Sequence, residues 1–202
     1  IMSTGMATLG EIDEAVTTLK KNGCKEIALL KCTSAYPASP DEANLRTIPH
    51  LSATFNVPAG LSDHTMGSSV PIAAVTLGAS IIEKHFCLDR SDPGPDSAFS
   101  MEPHEFKQMV HDIRTVEKAL GTIGYDLTEN EKISRTFRRS LFAVQDISRG
   151  EILTEKNIRS IRPGNGLDPK HLKTIIGMKS KQKIQKGTPI DWSLVTSKQT
   201  RD

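Results

Sequence analysis

Apolar positions along the chain change period several times, and each change marks an element. Residues 11–22 carry apolar side chains at helical spacing and stop at Gly23. The apolar run Glu26-Ile-Ala-Leu-Leu-Lys-Cys32 follows and predicts a buried strand, so the two form a helix–strand unit. A second unit has Ser39-Pro-Asp-Glu42 capping a helix that runs to Phe55, then a strand over 57–61 ending in Ser62-Asp-His64. A third has an apolar helix over 70–77 and a strand over 79–82 ending in Glu83-Lys-His85. The opening residues 1–5 read as a short strand running into a glycine turn. Strands recurring about every 25–30 residues between helices predict a parallel α/β sheet. Polar residues gathered at each strand's C-terminal end point to a TIM-type barrel, of which about four strands are present.

Beyond the Pro/Gly loop at 92–96, residues 103–120 form an amphipathic pattern with Phe106, Met109, Val110, Ile113, Val116 and Leu120 on one face. That helix would add to the barrel's outer layer. Residues 122–137 are polar and aperiodic, which predicts a linker. Apolar runs at 140–144 and 150–153, with Gly and Pro punctuation up to Trp192, then predict a small β-rich domain with short helices. The expected division is a partial barrel domain over 1–121, a linker over 122–138 and a second domain over 139–202.

Composition sharpens this division. The chain has 202 residues, 37% of them hydrophobic, enough for one large core or two small ones. Its net charge of +2 conceals a split: 13 Lys/Arg against 18 Asp/Glu over 1–138, and 13 against 6 over 139–202. A basic second domain suits an anion or an acidic partner surface. Aromatics make up only 4%, and no dense basic run interleaves with them, which argues against nucleic acid. No apolar run nears the roughly 20 residues of a membrane span and no leader opens the chain, so a cytoplasmic protein without a membrane partner is expected. Three cysteines, Cys24, Cys32 and Cys87, lack metal-type spacing and predict free thiols.

Candidate chemistry sits at the strand ends. His64 and His85 each follow a predicted parallel strand and each stands beside a carboxylate, Asp63 or Glu83. Two imidazoles with water and a substrate oxygen suit Mn²⁺, Zn²⁺ or Fe²⁺, with the carboxylates supporting the ligands or moving protons. A histidine taken singly is more often structural; the paired placement is what raises the metal reading. Hydroxyls recur at the same ends: Ser3 and Thr4, then Thr33, Ser34 and Tyr36, then Ser62. With Gly5 and Gly60 they suit a phosphate, and they suit the capping of the following helices equally well. In the basic domain, Arg162-Pro-Gly-Asn-Gly166 reads as a rigid-then-flexible loop presenting a guanidinium. Arg138-Arg139 and the lysines of 170–186 read as solvated charge.

Together, Ser3-Thr-Gly-Met-Ala7, Lys31-Cys-Thr-Ser-Ala-Tyr-Pro37, Gly60-Leu-Ser-Asp-His-Thr65, Ile82-Glu-Lys-His-Phe86 and Gly94-Pro-Asp96 resemble the sialic acid synthase family, in its order. Ser148-Arg-Gly-Glu151 and Arg162-Pro-Gly-Asn-Gly-Leu167 resemble its C-terminal antifreeze-like (SAF) domain. Glu42-Ala-Asn-Leu45, Gly94-Pro-Asp-Ser-Ala-Phe-Ser-Met101 and Ser134-Arg-Thr-Phe-Arg-Arg-Ser-Leu141 look more like the pseudaminic acid branch than the N-acetylneuraminic acid branch.

The resemblance implies the C-terminal half of a (β/α)8 barrel followed by the SAF domain. It implies condensation of phosphoenolpyruvate with an amino-sugar aldehyde, 2,4-diacetamido-2,4,6-trideoxy-L-altrose in the pseudaminic branch, at a divalent metal, Mn²⁺ or Mg²⁺. By motif, His64 and His85 would hold the metal, and Ser3, Ser34 and Ser62 would contact phosphoenolpyruvate. Tyr36 and Asp96 would line the sugar site, and Glu83 would be an acid/base group. Arg162 would reach the partner's barrel in a homodimer with exchanged SAF domains. Because the match begins at the family's fifth strand, the polypeptide alone is expected to be inactive. Two competing classes are a non-catalytic carbohydrate- or anion-binding module and a barrel aldolase forming an imine on Lys31 or Lys84.

Overall fold

The computed structural model describes residues 1–196; the end of the domain expected over 139–202, from 197 on, lies outside the described residues. The chain divides into two compact units, Ile1–Ile123 and Gly124–Asp202.

The first unit is a four-stranded, all-parallel sheet in the order β1 (Met2–Ser3), β2 (Leu29–Cys32), β3 (Ala59–Asp63), β4 (Ile82–Lys84). Each strand is followed by a helix: α1 (Leu9–Lys21), α2 (Thr47–Phe55), α3 (Ser69–Thr76) and α4 (Pro103–Leu120). Parallel neighbours need such crossovers, and the helices cover one sheet face. Leu29, Leu61, Ile48, Leu51, Val16 and Ala74 form the core beneath them. Val75, Met101, Met109 and Ile113 form a second cluster where α4 packs on α3.

The local chemistry explains the boundaries. Thr8 and Glu11 make a reciprocal capping box that starts α1, and Glu102 with Glu105 does the same for α4. The helix expected from Ser39 to Phe55 is broken: a 3-10 turn spans Pro40–Glu42, Asn44 takes a left-handed φ of 45°, and α2 starts only at Thr47.

Strands β3 and β4 lie two to three residues further along than the sequence pattern predicts. Pro58 has no N–H to give to a central ladder, so β3 begins after it. The α3 terminus holds Gly78 and Ala79 through backbone bonds to Val75 and Ala74, so β4 pairing starts beyond them. The shift matters, because it makes Asp63 and Lys84 the last strand residues. At Gly60 in the central strand a Cβ would overlap the Ile81 carbonyl oxygen and press on Leu30 Cδ2, so this close strand approach needs glycine.

On α4 the predicted stripe is only partly buried. Met109 and Ile113 are in the core, whereas Val110 and Leu120 are 41% and 53% exposed.

In the second unit β5 (Ser140–Ala143) pairs antiparallel with β6 (Ile158–Ile161), a strand the sequence pattern had not marked. The expected strand at 150–153 reduces to a single bridge, Ile152 to Lys179. Isolated bridges and the short helix α6 (Leu172–Ile175) enclose Leu141, Ile147, Leu153, Ile158, Ile175, Ile184 and Ile190. The linker expected over 122–138 is corrected in part. A Thr128–Glu131 capping box starts helix α5 (Glu129–Ser134), and a 3-10 turn follows at Arg135–Phe137. Residues 121–128 are without regular structure, and every one of them is exposed. All three cysteines carry free thiols. Among the described residues no helix is long and apolar enough to cross a membrane.

Chymotrypsin should therefore cut first within 121–127, at Tyr125, whose side chain is 97% exposed. Two resistant fragments are expected by mass spectrometry; first cleavage inside 140–190 would contradict the division.

Candidate active site

Side chains alternate faces along a strand, and parallel register puts paired residues on the same face. Leu61↔Ile82 and Asp63↔Lys84 lie on the helix-covered face, whereas Ser62↔Glu83 lies on the other, with His64 and His85 following. Ser62 Oγ donates to Glu83 Oε1 at 2.7 Å. One step further along, the His64 and His85 rings approach edge-on with centroids 5.1 Å apart. These four residues, with Asp63 and Lys84 between them, line an open cleft of about 250 Å³. A larger concavity edged by Asp41, Arg46, His50 and Leu77 has no buried polar group converging on it.

Hydrogen bonds fix the imidazole faces. His64, 7% exposed, has Nδ1 2.8 Å from the Thr33 carbonyl oxygen. A carbonyl only accepts, so Nδ1 donates and Nε2 carries the free lone pair. His85 Nδ1 lies 3.4 Å from Oδ2 of the half-exposed Asp96. Tyr36 stacks at 4.3 Å from His64 and 5.9 Å from His85, and the buried Phe99 backs His85 at 5.0 Å. Phe99 lies within the quoted Gly94–Met101 motif, but the sequence does not mark it as a site residue; a 3-10 turn brings it to His85 from 14 residues further along.

The other predicted residues divide. Ser34 stands over Gly5, where a methyl group would overlap its Oγ, and its hydroxyl lies 3.8 Å from Cys32 Sγ, beneath the His64 ring. Ser3 is exposed at the end of β1. Thr4 is not available to a ligand, because its hydroxyl donates to the Leu30 carbonyl. Asp63, beside His64, is corrected only as a proton-moving group: its carboxylate is held in a 2.6 Å ion pair with Lys84, both side chains nearly fully buried. Lys31 shares register with Leu61 on the helix-covered face, and its amine donates to Cys32 O and Thr33 Oγ1. Burial holds its ammonium below the usual lysine range. The Lys84 amine is taken up by Asp63 and the Thr65 carbonyl with its side chain 1% exposed, so it is not presented to the histidines as a free amine.

Arg162 is exposed in the second unit. Its loop is braced from below: Ser140 Oγ, from a residue 1% exposed, donates to the Pro163 carbonyl and accepts from Gly166 N–H. A Cβ at Gly164 or Gly166 would crowd the Arg135 or Leu141 carbonyl, so these glycines serve close backbone packing.

Residues 1–125 match the NeuB family, and residues 138–196 match the SAF domain. The chain belongs to the NeuB family. The pseudaminic acid synthase of Campylobacter jejuni strain 81-176 is 45% identical over 93% of this chain and 54% of that protein. An N,N'-diacetyllegionaminic acid synthase of Campylobacter jejuni is 44% identical over 88% and 54%. Among solved structures, the spore coat polysaccharide biosynthesis protein SpsE of Bacillus subtilis is similar at TM-score 0.56 and 35% identity, over 98% of this chain and 61% of that one. The chain thus spans about half the length of the NeuB-family relatives it matches.

The donor set suits a divalent cation in part. With metal–nitrogen bonds of about 2.1 Å, an ion shared by two imidazoles places ring centres roughly 4.5–5.3 Å apart, and the observed spacing falls in that range. Among the described residues no third His, Cys, Asp or Glu joins them. The two imidazoles would leave several coordination positions to water and substrate. In metal-free protein, ¹⁵N imidazole shifts should report His64 as the single Nδ1–H tautomer. A dominant Nε2–H form would contradict the Thr33 contact.

Proposed function

We propose that this chain is the metal-holding portion of a phosphoenolpyruvate-dependent nonulosonate synthase of the pseudaminic acid type. The observation that carries the reading is the pair His64, with Nδ1 bound to the Thr33 carbonyl, and His85, with Nδ1 3.4 Å from Asp96, whose rings meet at one open cleft in a chain of the NeuB family. The motif resemblance and the 45% identity to a pseudaminic acid synthase support the sugar; the legionaminic relative at 44% is the second reading.

In this reading C3 of phosphoenolpyruvate forms a bond to the aldehyde carbon, and the aldehyde oxygen takes up a proton. Water adds at C2 and gives up a proton, and the C2–O bond breaks to release phosphate. His64 and His85 would hold Mn²⁺ or Mg²⁺, which supplies Lewis acidity toward the aldehyde oxygen. Ser3 and Ser34 would present short hydroxyl donors to the phosphate and carboxylate of phosphoenolpyruvate, and Ser62, whose single proton goes to Glu83 Oε1, would touch the ligand without donating to it. Glu83, with Oε1 held by Ser62, keeps Oε2 to receive the proton of the adding water. Tyr36 and Asp96 stand on the rim where the sugar chain would lie. Arg162, on its braced loop, would complete the partner's site in a homodimer through a charge-assisted contact to a carboxylate.

Two assays on the full-length protein test this. With phosphoenolpyruvate and Mn²⁺, 2,4-diacetamido-2,4,6-trideoxy-L-altrose should release phosphate faster than N-acetylmannosamine or the legionaminic precursor. His64→Ala or His85→Ala should lower kcat roughly 100-fold or more at unchanged fold. Preference for another sugar would move the assignment within the family, and full activity of either variant would sink the metal role. In the second assay an Arg162→Ala subunit is mixed with a His64→Ala subunit. Recovered activity is expected, since one hybrid site then has both wild-type parts; verified heterodimers without recovery would place Arg162 outside the partner's site.

A further inference from the structure

The cross-strand pair Asp63↔Lys84 is charged, almost completely buried, and unused by the mechanism above. Its neighbour on the same face, Leu61↔Ile82, shows that apolar residues fill this layer. Burying a carboxylate and an ammonium there carries a desolvation cost that well-packed apolar residues would avoid, so the pair asks for a geometric reason.

The hydrogen bonds supply one. Asp63 Oδ1 accepts Thr65 N–H at 3.0 Å, and Oδ2 accepts Thr65 Oγ–H at 3.1 Å and Lys84 Nζ at 2.6 Å. Lys84 Nζ also donates to the Thr65 carbonyl oxygen. The residues on both sides of His64 are thereby tied to one another, and both are tied to the residue that precedes His85. Thr65 is itself 2% exposed, so water does not compete for these groups.

We propose that the Asp63–Lys84 pair, with Thr65, is a positioning device for the two histidines, clamping from the helix-covered face the two chain segments that project them from the other. The ion pair fixes where β3 and β4 end relative to one another. The Thr65 bonds fix the bend after β3, and so the direction in which His64 leaves it. The clamp keeps His64 Nδ1 within reach of the Thr33 carbonyl, and thus Nε2 turned to the cleft. It deepens the metal-centred reading, on which its consequence for Mn²⁺ rests, although its effect on His64 can be measured without metal.

Lys84→Met alone would leave a buried, unpaired carboxylate and unfold the unit. The decisive variant is therefore D63N/K84M, which removes both charges at similar volume and keeps an acceptor for Thr65 N–H. Circular dichroism checks the fold, ¹⁵N imidazole shifts read the His64 tautomer in metal-free full-length protein, and calorimetric titration with MnCl₂ reads affinity. The folded variant is expected to lose the single Nδ1–H tautomer and to bind Mn²⁺ about 10–100-fold more weakly, as when the partners of metal-bound histidines are removed. Should it not fold, Thr65→Val removes one hydroxyl and no charge from the same ring and is read in the same direction. A folded variant that keeps the wild-type tautomer overturns the clamp, whatever its affinity, and a changed tautomer with unchanged affinity overturns its link to the metal. If wild-type protein itself takes up no Mn²⁺, the metal reading fails, and the tautomer comparison still decides the clamp.

Discussion

The parallel register between β3 and β4 is the constraint on which the cleft depends. Ser62 meets Glu83, Asp63 meets Lys84, and the two histidines then emerge side by side. A slip of one residue in either strand would turn its whole set to the other face, burying a histidine among helices and bringing a charge into the cleft. Backbone bonds alone do not choose between such registers. The choice is made by side chains: Leu61 and Ile82 must meet the helix layer, and the Asp63 carboxylate must meet the Lys84 ammonium. An alternative pairing that separated those charges would leave one buried without a partner, at a cost of about 3–5 kcal/mol.

Both faces of the sheet are thus specified together. The helix-covered face carries the register in its apolar contacts and its one ion pair. The open face carries hydroxyls, a carboxylate and two imidazoles, with the Thr33 carbonyl determining which nitrogen of His64 is free. Gly60 allows β4 to approach the central strand closely, and Gly5 leaves room for Ser34, so small residues set the spacing within which the polar groups act.

The second unit solves a different problem, holding an exposed arginine on a loop with little regular structure around it. Ser140 binds both limbs of that loop, and two glycines let it lie against the Arg135 and Leu141 carbonyls. Backbone contact with the core of Leu141, Ile147 and Ile190 defines the path of the Arg162 loop.

The alternation of helix and strand, the parallel sheet, the break between an acidic and a basic part, and the placing of His64 and His85 at strand ends all followed from the sequence. These depend on local periodicity, capping residues and the order of short motifs, which are properties of neighbours along the chain. The sequence alone did not separate Asp63 from Glu83, two carboxylates beside two histidines. Only the register assigned one to a buried ion pair and the other to the cleft. It likewise did not separate Thr4, spent on a backbone carbonyl, from Ser62, or see Phe99, α5 and β6. Apart from α5, whose Thr128–Glu131 capping box is local, each of these was decided by a partner distant in sequence, and which face a side chain takes is fixed only when the strand that pairs with it is in place.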